Sequence, residues 1–147
     1  MPPWLKVVLG IVLFFIVLAI GGAFFAVNWV RINKTRLQQE ATKVRDEGRS
    51  FGEGKEPVAC MDEAIRRYKE KRGFAGQIRN QLFMEACLDA SSFPATFCAT
   101  VPQQTEFIDS SRWALNECQK RGMPNDQSCT TIVMSVVQRC DRQRSSH

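Results

Sequence analysis

Six cysteines, at positions 60, 87, 98, 118, 129 and 140, are the residues of this chain with the most chemistry to offer. A thiol can act as a nucleophile, a metal ligand, a redox centre or half of a disulfide, and its spacing from other residues decides among these. No two cysteines form a Cys-x-x-Cys pair, so the usual redox dithiol, the usual zinc knuckle and haem attachment all lack their residues. The single histidine is His147, at a chain end where order is usually lost, which leaves a His-dependent triad, general base or zinc site without its histidine. No Gly-x-x-x-x-Gly-Lys phosphate loop is present; Gly48, Gly52 and Gly54 fall in the polar run GRSFGEG. The carboxylates Asp62, Glu63, Glu85, Asp109 and Glu117 are scattered over helix faces, whereas glycoside hydrolysis needs two of them held across a cleft. The expectation is a non-enzymatic protein that carries no metal and no cofactor, with its cysteines serving the fold.

The elements that must hold those cysteines read as helices. Beyond residue 56 the apolar residues recur at three- and four-residue intervals, and Gly and Pro fall where helices would end. The first helix starts at Pro57, ends before Gly73 and turns Val58, Met61, Ile65 and Tyr68 inward. The second runs from about Gly76 to Ala90 on Ile78, Leu82, Phe83 and Ala86, and stops in the Ser91 to Pro94 segment. A short turn with Phe97 and Cys98 follows. The next helix starts at Pro102, presents Phe107, Ile108, Ser111, Leu115 and Cys118, and stops at Gly122 ahead of Pro124. The last is capped by Asn125, and Cys129, Ile132, Val133, Val136 and Cys140 form its apolar face. Its β-branched residues suit a strand, but the spacing does not. The expected fold class is all-α: one N-terminal membrane helix and a small disulfide-stapled bundle of four helices plus one short one.

In an up-and-down bundle Cys118 and Cys129 meet at one end, and Cys60, Cys87, Cys98 and Cys140 gather at the other. That fixes Cys118–Cys129 and leaves three ways to join the rest, of which Cys87–Cys98 with Cys60–Cys140 is preferred. A domain of roughly 90 residues has a modest core, and each bridge contributes about 2 to 4 kcal/mol. The competing state is six buried, reduced thiols, which pack as small apolar residues.

Val7 to Val27 is 21 residues without a charge, and about 20 helical residues cross the hydrocarbon of a bilayer. Trp4 and Trp29 bracket it at headgroup level. Cleavage as a signal peptide after Ala19 to Gly21 or Gly21 to Ala23 competes, but the apolar run continues past both places. The small pairs Ala19/Ala23 and Gly22/Ala26 offer a face for a homo-oligomer through the membrane helix. The expected organisation is a transmembrane anchor at 1–30, a helical juxtamembrane stem at 31–47, a flexible linker at 48–56 and the cysteine-rich helical domain at 57–144.

Disulfides persist in oxidising compartments, which places the C-terminal domain in the periplasm or outside the cell. The flanking charges disagree: Arg31, Lys34 and Arg36 follow the span while Lys6 precedes it, and the positive-inside rule would keep the domain in the cytoplasm. The cysteines carry more weight, because export accounts for both their number and their placement.

The net charge of +5 is spread along the chain, and from Lys55 onward thirteen Lys and Arg stand against eleven Asp and Glu. That near balance argues against nucleic acid as a partner, since its binders concentrate positive charge on one face. The densest basic run is Arg66, Arg67, Lys69, Lys71 and Arg72. It either complements the carbonyls at a helix end or forms a patch for an anionic partner. Trp113 falls off the inner stripe of its helix and either anchors an interface or packs under the 93–101 segment. The expected function is a membrane-anchored module exposed outside the cytoplasm that binds a protein or organises an assembly. The alternatives are a thiol-based redox sensor and a cytoplasm-facing adaptor with reduced cysteines.

Overall fold

The computed structural model describes residues 3–146; His147 lies outside the described residues, and so does its expected disorder. Among the described residues the chain is all-helical, with six helices and no strand. It divides into two compact units, residues 1–40 and 41–147. Helix α1, Pro3–Gly52, contributes to both.

In the first unit every side chain from Val8 to Val30 is exposed. A helix that is apolar on all sides needs an apolar surround. This one is long and apolar enough to cross a membrane, with a mean hydropathy of 2.8 over its best 18-residue window.

The second unit is built from the end of α1 with α2 (Pro57–Glu70), α3 (Phe74–Ala90), α4 (Ala95–Ala99), α5 (Phe107–Lys120) and α6 (Gln127–Ser145). Helix α6 lies at its centre, packed against α3, α5 and α2. Ile132, Val133, Val136 and Val137 are fully buried, so α6 hides a wide face, and each such side chain contributes about 1.5 to 3 kcal/mol. Pro57 occupies the first turn of α2 as expected, where a missing N–H costs nothing. Helix α5 ends in a Schellman turn: the Met123 N–H donates to the Cys118 carbonyl, the Gly122 N–H donates to Gln119, and Gly122 has φ 71°.

Several sequence expectations are corrected. Gly48 and Gly52 do not interrupt the helix, which continues to Gly52; Gly54, at φ 68°, stands in the turn beyond it. Both helical glycines are buried, and a Cβ on either would fall inside contact distance of an α3 carbonyl, that of Phe83 for Gly48 and that of Cys87 for Gly52. Their missing side chains therefore let α1 and α3 touch backbone to backbone rather than loosening the chain. Phe51 packs on Phe83 with ring centroids 5.9 Å apart, and Val44 joins the core.

Helix α5 starts at Phe107 rather than Pro102, because Gln103 to Glu106 closes a separate turn in which the Glu106 N–H donates to the Gln103 carbonyl. Its buried face is Ser110, Ala114 and Cys118, which leaves Phe107 76% and Ile108 70% exposed. Ile78 of α3 and Val58 of α2 are likewise exposed, while Asn80, Met84 and Leu88 are buried. The cap of α6 is Asp126, whose carboxylate accepts from the Cys129 N–H at 2.8 Å, and Asn125 takes the left-handed conformation just before it.

Cys118–Cys129 forms as expected, with Cα atoms 6.0 Å apart. The other two pairs are Cys60–Cys87 and Cys98–Cys140, not Cys87–Cys98 and Cys60–Cys140. Helices α2 and α3 pack as consecutive neighbours, so the start of one meets the end of the other and Cys87 is taken by Cys60. The short α4 then sets Cys98 beside the last turns of α6, at a Cα separation of 5.3 Å from Cys140.

Candidate functional site

The basic run of α2 folds around a groove. Arg66, Arg67 and Glu70 of α2, Lys71 and Arg72 of the following turn, and Ala75, Gly76, Arg79, Asn80 and Phe83 of α3 line it, together with the buried Val44 of α1. Its volume is about 480 Å³. Gly76 keeps the turn tight, because a Cβ there would collide with the Lys71 carbonyl oxygen. Asn80 is buried and anchors the floor by donating to the Gly76 carbonyl at 2.8 Å.

The two α2 arginines are held by acids. Arg67 stacks over the Phe83 ring at 4.1 Å from its centroid and donates to Glu63 and Glu47 at 2.8 Å each. Burial disfavours its charge, but hydrogen bonds and attraction from Glu63 and Glu47 outweigh this and raise its pKa. Arg66 donates to Glu63 at 2.8 and 2.9 Å and to Glu70 at 2.5 Å. The Arg66 hydrogen bond is the chief cause that lowers Glu63 to about 2; burial opposes it and Arg67 reinforces it. Lys71, Arg72 and Arg79 have no carboxylate at ion-pair distance among the described residues.

A depressed carboxylate stabilises the fold above its unfolded value, 4.5, and that stability is lost as pH falls toward the folded value near 2. Thermal midpoints are therefore expected to fall between about pH 4.5 and 2, and Glu63→Gln is expected to flatten that fall while lowering the midpoint at neutral pH. An acid limb of unchanged steepness in the variant would assign it to other groups.

Of the residues singled out by sequence, the structure brings Arg66, Arg67, Lys71 and Arg72 together at the groove. Lys69 points elsewhere and donates to the Arg121 carbonyl, which ties α2 to the end of α5. Trp113 is half-buried and packs against the core, outside the groove lining. Arg79 and Asn80 also belong to the groove and carry no signal in the sequence, since only the folded α2–α3 pair brings them to the basic run.

The remaining groups are poorly placed for chemistry. The cysteines are 0–4% exposed and none is free, so attack by an outside thiol is blocked sterically. Glu117 is half-buried, which opposes its charge, but hydrogen bonds from Lys120 and Arg121 lower its pKa overall; a general acid at neutral pH needs the opposite shift. Among the described residues no group of three or more His, Cys, Asp or Glu is placed to hold a metal. Comparison with protein-family models, curated proteins and solved structures finds no match for the chain.

Proposed function

We propose that this chain is a single-pass, signal-anchored membrane protein whose bundle stands outside the cytoplasm and binds a protein partner without catalysing a reaction. The observation that carries the reading is the coexistence of one lipid-compatible helix with three buried cysteine pairs in the unit that follows it. Disulfides of this number survive where no cytosolic reductant reaches them. A membrane tether with a folded, cross-linked head suits a binding or assembly role. The groove on that head supplies a surface for it.

A cytoplasm-facing adaptor is the second reading, favoured by Arg31, Lys34 and Arg36 just beyond the span. The redox-sensor reading is disfavoured by the burial of all six sulfurs.

Sidedness separates the first two. In right-side-out membrane vesicles, a membrane-impermeant amine reagent is expected to modify Lys43, Lys55, Lys71 and Lys120 and to spare Lys6, as read by peptide mass spectrometry. Modification of Lys6 alone would put the bundle in the cytoplasm and favour the adaptor.

A further inference from the structure

We propose that the groove between α2 and α3 is a docking cleft for an acidic segment of a protein partner, whose carboxylates are received by Lys71, Arg72 and Arg79. This rests on the reading of the bundle as a binding module and adds the chemistry of what is bound.

Most arginines of this unit are ion-paired. Arg49, Arg112, Arg121, Arg139, Arg142 and Arg144 each have a carboxylate within 3.8 Å. Arg45 on α1 also lacks such a partner among the described residues, but Arg72 and Arg79 lack one in a recess, together with Lys71. Among the described residues the only carboxylate lining the recess is Glu70, which Arg66 already engages. Three cations are thus concentrated around one concavity without a counter-charge from the protein. Exposed like charges around one concavity attract an anion, and guanidinium forks match carboxylates in pairs.

The recess is preorganised beneath that rim. Arg67 is fixed between Phe83, Glu63 and Glu47, and Asn80 is bonded to the backbone, so the floor needs no rearrangement on binding. Its volume of about 480 Å³ falls within the usual span of ligand sites, about 300 to 1,000 Å³. Concavity decides the class of partner. A bilayer plane meets protruding cations on a flat or convex face, whereas a recess takes inserted side chains. Val44 and Phe83 at its base add apolar contact for a residue between acidic ones.

The test uses the full chain in nanodiscs of neutral phosphatidylcholine, with fluorescein-labelled hexaglutamate as probe and anisotropy as readout. Saturable binding is expected, weakened at least about tenfold by Arg72→Glu with Arg79→Glu and less than about twofold by Arg112→Glu with Arg142→Glu, which changes net charge equally elsewhere. All four positions are exposed, and thermal melts confirm that each variant folds. Absence of saturable binding, or equal weakening by both pairs, would overturn the cleft. Displacement of the probe by a soluble short-chain phosphatidylglycerol at lower concentration than by unlabelled hexaglutamate would assign the groove to a lipid headgroup and overturn the protein partner. A failure here leaves the anchored, cross-linked architecture standing, whereas a failure of that architecture appears in the lysine labelling and not in this titration.

Discussion

Replacing Cys98 and Cys140 together by alanine lowers the thermal midpoint of the bundle by about 15 °C or more, the largest effect of any disulfide removal in this chain. The pair closes a separation of 42 residues. On the chain-entropy model that loop is worth about 4 kcal/mol, against about 3.5 for Cys60–Cys87, at 27 residues, and about 3 for Cys118–Cys129, at 11. Local structure widens the differences. Cys118 and Cys129 are already brought together by the Schellman turn at Gly122 and the Asp126 cap, so their ends stay close without the bond. Helix α4 has only five residues and cannot hold itself as an isolated helix. Its segment is tied to α6 by the bridge, by the Arg144 guanidinium, which donates to the carbonyls of Cys98 and Val101, and by Gln143, which donates to the Phe93 carbonyl, while Phe97 packs on the core. The double variant should therefore also lose amide protection across residues 93–101 before the rest of the bundle opens. A smaller loss than that caused by removing Cys118–Cys129 would contradict this ranking.

Gly52→Ala is expected to destabilise the bundle by about 2 kcal/mol, although the same change in an open helix stabilises by up to about 1 kcal/mol. The sign turns on what a Cβ would meet. At Gly52 it would run into the Cys87 carbonyl, and at Gly48 into that of Phe83. Both obstacles are backbone atoms of α3, so they cannot swing aside as a side chain would. Helix α1 must lift away, and Phe51 then loses Phe83. Ser50→Ala, on the exposed side of the same turn, is the control and is expected to be neutral or slightly stabilising. Chemical denaturation of the three variants measures this. Equal stability of Gly52→Ala and Ser50→Ala would mean that the close approach of α1 to α3 contributes nothing.

Much of this fold is legible in the sequence. Apolar period together with Pro and Gly punctuation locates the helices that start at Pro57, end at Ala90 and centre on Val136, and the apolar run at Val7 to Val27 marks a helix fit for a membrane. What failed did so for identifiable reasons. Gly48 and Gly52 look like linker residues when only propensity is weighed, and their four-residue spacing acquires meaning only when a second backbone lies across it. Phe107 and Ile108 suggested the inner face of α5, but the turn at Gln103 to Glu106 delays the helix and rotates small residues inward, where Ser110 and Ala114 allow α6 to approach. Cysteine pairing by end of the bundle selected the correct four partners for one cluster. Which of three pairings they adopt depends on lateral neighbours, and sequence order alone does not encode those. The groove was half visible: Arg66, Arg67, Lys71 and Arg72 advertise themselves as a run, whereas Arg79 lies in another helix and joins them only through the α2–α3 packing.

The central claim, an anchored chain whose head is cross-linked behind a membrane, is tested most directly by intact mass. Protein from native membranes is denatured without reductant, treated with maleimide and weighed. The account predicts the full-length mass with no maleimide added, since all six cysteines are paired and the proposed anchor is uncleaved. Six additions would show reduced thiols and turn the bundle toward the cytoplasm. A mass short of the first twenty or so residues would show that the helix is removed and the anchor lost.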